Sequence, residues 1–265
     1  MSRWGFREVA GLALVALGCQ SAPTPEPIVE VIEPVRVEAI DETEPIAGTL
    51  ESAVAWNKIG ASREGRDILE ATFGSGPDTI LLLASIHGNE AAGTPLLKKL
   101  AAELLHEPAW LEGRRVVIVP VVNPDGLARS NRANARGVDL NRNFPADNWK
   151  SKRRYGTEPL SEPESCALFE LIERTQPNRI ITLHQPASLL DYDGPAEELA
   201  QAMADMGPLR VKRMGARPGS LGSYVGLTLG LPIVTVELPR PSDRLDKNEL
   251  WAKYGAMLRA AITFR

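Results

Sequence analysis

Histidine and cysteine are scarce in this chain, which carries three His and two Cys in 265 residues. Two cysteines cannot build a disulfide framework, and any histidine-based site must use most of the three histidines. Charge of one sign is lacking as well. Lys and Arg number 30 against 34 Asp and Glu, a formal net charge of −4, which gives no general reason to expect nucleic acid, a partner that calls for a basic surface. The apolar run at residues 9–17 is too short to span a bilayer as a permanent helix. No internal repeat is visible. What remains, 43% apolar and 24% charged, is ordinary for a globular protein.

The N-terminus has the layout of an export signal: Arg3 and Arg7 flank the apolar stretch, and small Gly18 precedes Cys19. Val15-Ala16-Leu17-Gly18-Cys19 resembles the cleavage box of bacterial lipoproteins, with Ala16 where leucine is usual. The expected division is a lipoprotein-type signal peptide over 1–18, a lipidated Cys19 with a disordered tether over 19–54, and one folded domain over 55–265. Pro23, Pro25, Pro27, Pro34 and Pro45 stand among Glu26, Glu30, Glu33, Glu38, Asp41, Glu42 and Glu44 of that tether. Like charges repel and prolines stiffen, so such a segment stays extended, reaching on the order of 100 Å. Gln20 after the cysteine leans towards the outer membrane, facing the periplasm, with membrane contact through lipid alone. Cys166 is then left without a disulfide partner and is expected on the buried face of a helix; a Cys19–Cys166 disulfide is the competing arrangement.

In the remaining chain, strand-like and helix-like patterns alternate. Residues 79–86 form a nearly pure apolar run, the pattern of a strand covered on both faces. Residues 90–106 read as an amphipathic helix, 115–122 as a buried strand, and Asn123-Pro124-Asp125-Gly126 as a turn. A long loop with little periodicity follows, and long loops inside compact domains are usually functional. Ser161 is expected to cap a helix through about residue 172, residues 179–183 to form a strand, 196–206 a helix, 220–229 a helix, 232–238 a strand and 248–263 a last helix. The alternation implies an α/β domain with a mainly parallel sheet, mixed by antiparallel neighbours near its start.

Three segments carry chemistry. His87 and Glu90 stand just past one apolar strand, and His184 ends another, so the three could converge at one edge of the sheet. Two imidazoles and a carboxylate make the donor set of a hydrolytic zinc site with one open position. Taken singly, a histidine at a strand end is more often a hydrogen-bonded structural residue. Glu237, the only charge in an apolar strand, is a candidate general base, and an exposed strand end is its alternative. From the long loop, Arg132 and Arg142 are candidates to hold a substrate carboxylate or an oxyanion, with Asn141 assisting. Arg129 and Arg136 read as solvated charge, and Asp125 and Asp139 as scaffold.

Taken in order, His87-Gly88-Asn89-Glu90, Asn123-Pro124-Asp125-Gly126, residues 132–145, Leu183-His184 and Val236-Glu237-Leu238-Pro239 resemble the zinc carboxypeptidase superfamily. Ala146-Asp147-Asn148-Trp149-Lys150 and Pro218-Gly219-Ser220-Leu221-Gly222-Ser223-Tyr224 are similar to its bacterial murein peptide amidase branch. The resemblance implies an α/β/α sandwich around a mixed, mostly eight-stranded sheet. It also implies one zinc ion per chain on His87, Glu90 and His184, Glu237 as general base, Arg132 polarising the scissile carbonyl, and Asn141 and Arg142 receiving the carboxylate beside the cleaved bond. The implied substrate is a peptidoglycan-derived peptide, cut between γ-D-Glu and meso-diaminopimelate. One departure stands out: relatives carry a tyrosine shortly before Pro-Gly-Ser, where this chain reads Arg213-Met214-Gly215-Ala216-Arg217. Arg213 or Arg217 could replace its hydrogen bond, while Tyr224 lies beyond the segment. The rival readings are an N-acyl amino acid deacylase of the aspartoacylase type and a catalytically impaired wall-peptide-binding lipoprotein.

Overall fold

Four strands rich in Val, Ile and Leu set the centre of the molecule, because only a position covered on both faces tolerates such runs. The structure, a computed structural model, describes residues 53–265; the signal peptide, the lipidation of Cys19 and the tether up to residue 52 lie outside the described residues. Eight strands form one mixed sheet: β1 (Asn57–Ala61), β2 (Asp67–Phe73), β3 (Asp78–Ala84), β4 (Arg114–Val119), β5 (Arg179–His184), β6 (Leu189–Asp193), β7 (Arg210–Val211) and β8 (Ile233–Glu237). Their order is β1-β2-β4-β3-β5-β8-β6-β7. The central β4, β3, β5 and β8 run parallel, β1 and β2 pair antiparallel with their neighbours, and β6 pairs antiparallel with β8 and parallel with β7.

Helices cover both faces. Against one lie α1 (Gly93–Leu104), α4 (Glu197–Ala204) and α5 (Lys247–Thr263), whose Leu97, Leu100, Met203, Met257 and Leu258 join Ile80, Leu82, Val116 and Val234 in one core. Against the other lies α3 (Pro163–Thr175), whose Leu168, Leu171 and Ile172 meet Leu81, Leu83, Val117 and Ile180. The alternation of β3 side chains between two cores is what a two-faced strand requires. The result is the α/β/α arrangement the sequence implied.

Local departures have physical causes. Helix α1 starts at Gly93, not at Glu90, so the glutamate sits in the loop before it. Asn123-Pro124-Asp125-Gly126 is not a bare turn: Asn123 caps a short helix, α2 (Pro124–Ala128), its side-chain oxygen accepting the Gly126 amide at 2.8 Å. Ser161 does not cap α3; that place falls to Glu162, with Pro163 in the first turn. Cys166 sits on α3 but is only half-buried, its thiol 3.0 Å from the Leu160 carbonyl. The helix expected over 220–229 is a π-helical segment, Ser223–Thr228, and β6 and β7 were not foreseen at all.

Candidate metal centre and its cavity

The chain passes from β3 to β4 on one side of the sheet and later enters β5 on the other side of β3. Such a reversal opens a crevice beyond the carboxyl ends of the two strands. His87 lies three residues past β3 and His184 is the last residue of β5. Ser85, at φ 49°, turns the chain sharply after β3. Three residues on, a Cβ on Gly88 would stand 1.9 Å from the backbone of Gly126, so only glycine lets α2 pack beneath this turn.

The three groups converge. His87 Nδ1 lies 3.0 Å from Glu90 Oε1, His184 Nδ1 lies 2.8 Å from Glu90 Oε2, and the two Nδ1 atoms are 3.1 Å apart. Donors about 2.05 Å from a tetrahedral zinc stand about 3.3 Å apart. The triangle therefore fits that ion with little adjustment, and all three residues are buried. Two facing imidazole nitrogens over one carboxylate are a donor set for a cation. Around them, His87 Nε2 meets Asp139 Oδ1 at 3.0 Å, while Gln185 donates its amide to Glu90 Oε2 at 3.2 Å and accepts the Ala92 amide at 3.1 Å. A carboxylate on the far nitrogen fixes the ring's tautomer and orientation. Asp139, which the sequence alone assigned to scaffold, is thus part of the centre.

Charge in this cluster is mutually compensated. Burial opposes ionisation of Glu90, but the hydrogen bonds and charges of His184 and His87 outweigh it and hold the carboxyl well below its usual range. Burial likewise disfavours ionised Asp139, and its bond to His87, aided by Arg132 and Arg142, reverses the balance. His87, pushed down by burial, is raised on balance by Asp139 and Glu90.

The remaining candidates surround one cavity. It is lined by His87, Glu90, Arg132, Asn141, Arg142, His184 and Glu237, and also by Asp191, Asp193 and Arg217. Glu237 ends β8 in register with His184, half-buried at the rim, not deep inside its strand. Its Oε2 accepts the Ala187 amide at 3.2 Å. Arg132 donates through Nη1 to Glu90 Oε1 at 3.0 Å and through Nε to Asp139 Oδ2 at 3.1 Å. Asn141 accepts the Leu221 amide at 2.9 Å, which ties the long loop to the Pro-Gly-Ser segment. Arg142 donates to the Asn141 carbonyl.

Other residues fall outside. Arg129 pairs with Glu64, and Arg136 lies 3.6 Å from Glu162. Asp125 anchors Ser62 at 2.7 Å and Arg66 at 2.6 Å. His106 is exposed beyond α1. Where a tyrosine was expected, Met214 to Arg217 line the cavity, while Arg213 sits 5.3 Å over the Tyr192 ring. Tyr224 is buried and bonded to Glu173 at 3.0 Å, away from the cavity lining.

Known proteins are similar to this chain in sequence and fold. The zinc carboxypeptidase family pattern matches residues 42–203. Murein peptide amidase A of Escherichia coli K12 is 34% identical over 219 residues, 73% of this chain and 87% of that protein. Carboxypeptidase Z of Rattus norvegicus is 35% identical over 61% of this chain but only 34% of its own length. Among solved structures, the murein-tripeptide amidase MpaA from Escherichia coli O157 superposes with a TM-score of 0.63 at 28% identity, over 85% of this chain and 99% of that one. Bovine thrombin-activatable fibrinolysis inhibitor shares the fold, with a TM-score of 0.66 at 21% identity. With its family pattern, its fold and its His-Glu-His cluster in agreement, this chain belongs to the zinc carboxypeptidase family and is a zinc-dependent metallopeptidase.

Proposed function

We propose that the protein is an amidase of peptidoglycan peptides that cleaves the bond between γ-D-Glu and meso-diaminopimelate. The observation that carries this reading is the likeness to murein peptide amidases across nearly the whole described domain, over a cavity that gathers the metal cluster, Glu237 and two arginines. His87, Glu90 and His184 would hold the ion. When bound, zinc lowers the pKa of water and polarises a carbonyl. Glu237, with Oε2 held by the Ala187 amide, takes the proton of the attacking water on Oε1 and returns it to the leaving amine. Arg132 has Nη1 and Nε engaged by Glu90 and Asp139, which leaves Nη2 to stabilise the oxyanion that develops on the substrate carbonyl. Arg142 and Asn141 receive the carboxylate of the leaving residue. A lipid on Cys19 would hold the domain at the periplasmic face of the outer membrane, where wall peptides are found.

Incubation of the zinc-loaded protein with L-Ala-γ-D-Glu-meso-diaminopimelate and with a panel of N-acyl amino acids, read by mass spectrometry, tests the reading. Release of diaminopimelate is expected. Hydrolysis of the acyl panel alone would make the protein a deacylase, and binding without turnover would make it a wall-peptide receptor.

A further inference from the structure

Outside the cavity the surface charge is unevenly placed, although the chain as a whole carries a formal net charge of −4. Lys150, Lys152, Arg153 and Arg154 put four cations into five residues of the long loop, and Asp147 is the only acidic residue between 146 and 157. All four are exposed. Among the described residues none of them forms an ion pair, and Lys152 merely lies 5.4 Å over the Tyr155 ring. By contrast, Lys58 meets Asp67 at 2.6 Å and Lys99 meets Glu103 at 2.5 Å.

The backbone beneath these free side chains is fixed. Asp139 donates its amide to the Arg154 carbonyl at 2.9 Å, Asn143 Nδ2 donates to the Tyr155 carbonyl at 2.7 Å, and the Tyr155 amide closes a helical turn on the Lys152 carbonyl at 2.7 Å. Just upstream, Trp149 Nε1 donates to the Arg142 carbonyl at 3.1 Å. A Cβ on Gly219 would stand 2.6 Å from Trp149 Cδ1, so glycine there lets the indole pack onto the Pro-Gly-Ser segment. Asp139 holds His87, and Arg142 lines the cavity. The cationic segment is thus moored to the residues that build the catalytic cavity. Its backbone is already ordered, which lowers the cost of binding there. An unpaired cluster of one sign on such a scaffold makes a local positive potential that draws a polyanion.

We infer that residues 150–154 dock the protein on the intact cell-wall polymer, their cations pairing with the carboxylates of its peptide stems. The inference rests on the proposed amidase reading for its choice of polymer and adds a surface to that reading. In a stem L-Ala-γ-D-Glu-meso-diaminopimelate joined to glycan through the L-Ala nitrogen, that nitrogen is uncharged. The D-Glu α-carboxylate is free because the chain runs through its γ-carbon, and diaminopimelate carries two carboxylates against one ammonium. Each stem is net negative, and the polymer repeats it. Docking beside the cavity keeps further stems within reach of the metal centre. An anionic bilayer offers charge of the same sign, but a membrane pressed against this segment would lie across the cavity, so the position favours the wall.

Co-sedimentation of the full chain with purified murein sacculi reads the docking without any turnover. It therefore decides the inference even if no diaminopimelate is released and the amidase reading falls by itself. Wild type should sediment with sacculi at about 20 mM NaCl and be released at about 1 M, where the screening length is about 3 Å. Lys152→Ser, Arg153→Ser and Arg154→Ser combined should weaken binding at least about tenfold, while Lys152→Arg, Arg153→Lys and Arg154→Lys combined should retain it. Sacculi whose carboxylates are converted to amides with carbodiimide and ethanolamine should no longer bind wild type. Binding that is indifferent to salt, equal in wild type and the serine variant, or kept on the amidated sacculi would overturn the inference. So would failure of wild type to sediment at low salt. Vesicles of phosphatidylglycerol and phosphatidylcholine form the second arm. Wild type and variant share one N-terminus, so a lipid on Cys19 cancels in their ratio. A wild-type-to-variant ratio larger on vesicles than on sacculi would make the segment a membrane contact and sink the wall reading; a larger ratio on sacculi upholds it.

Discussion

The two ends of the cavity each bury two carboxylates and treat them in opposite ways. At one end His87, Glu90, His184, Asp139 and Arg132 compensate one another through contacts of 2.8 to 3.1 Å. At the other, Asp191 and Asp193 stand on one strand face with one oxygen unpartnered. The compensated end is assembled in advance, as a site must be if its ligands are to act together. At the second end Arg213 and the Ala216 amide offset the burial of Asp193 only in part, so a proton or a cation relieves the remaining charge. Pre-paired charge thus marks chemistry, and partly paired buried charge leaves a titration near pH 6.

Removing a ligand breaks the first end most severely. His184→Ala should lose both zinc, measured by metal analysis, and turnover, whereas Asp193→Asn should keep about one zinc per chain. Loss of zinc from Asp193→Asn would mean that the two ends are not separate. Next in size, Glu237→Gln should retain zinc while kcat falls by about a thousandfold, within the range attributed to general acid–base catalysis. Unchanged turnover would remove Glu237 from the base role. Asp139→Asn should act more mildly. It leaves all three donors in place but weakens the hold on His87 Nε2, so zinc affinity, read by competition with a chelator, should drop about 10- to 100-fold.

The first end was largely legible in the sequence and the second was not. His87 and His184 follow near-continuous apolar runs, which read as buried parallel strands from composition alone. Once those strands were placed, the histidines had to fall at their carboxyl ends. Strand β6 hid because its two aspartates interrupt the apolar pattern, so Leu189-Leu190-Asp191-Tyr192-Asp193 resembles neither a buried run nor a polar-out strand. Asp139 hid for another reason. Its role is fixed by His87, 52 positions away, and no local pattern carries a long-range pair. The loop around it is organised in the same manner, with Asn134 donating to buried Glu162 at 2.8 Å and Glu164 at 3.1 Å. Its helical turns at Leu140–Arg142 and Arg153–Tyr155 show no periodicity to read.

The smallest effect tests the unpaired end without any substrate. The Asp193 carboxyl is raised from 3.8 to about 6 in the folded protein, so the folded state holds that proton more tightly than the unfolded chain does. Stability from this group is therefore present at low pH and lost as pH rises from about 4 to about 6, with no further change above that. Asp193→Asn abolishes the titration, so its stability relative to wild type should grow over that interval and level off, reaching about 1–2 kcal/mol, or a few degrees in Tm, near neutral pH. Carboxylates held low elsewhere, such as Glu90 and Asp139, weaken both proteins alike on acidification and cancel in the difference. A difference in Tm that is flat with pH would show that Asp193 is satisfied in solution, and the contrast between the two ends of the cavity would dissolve.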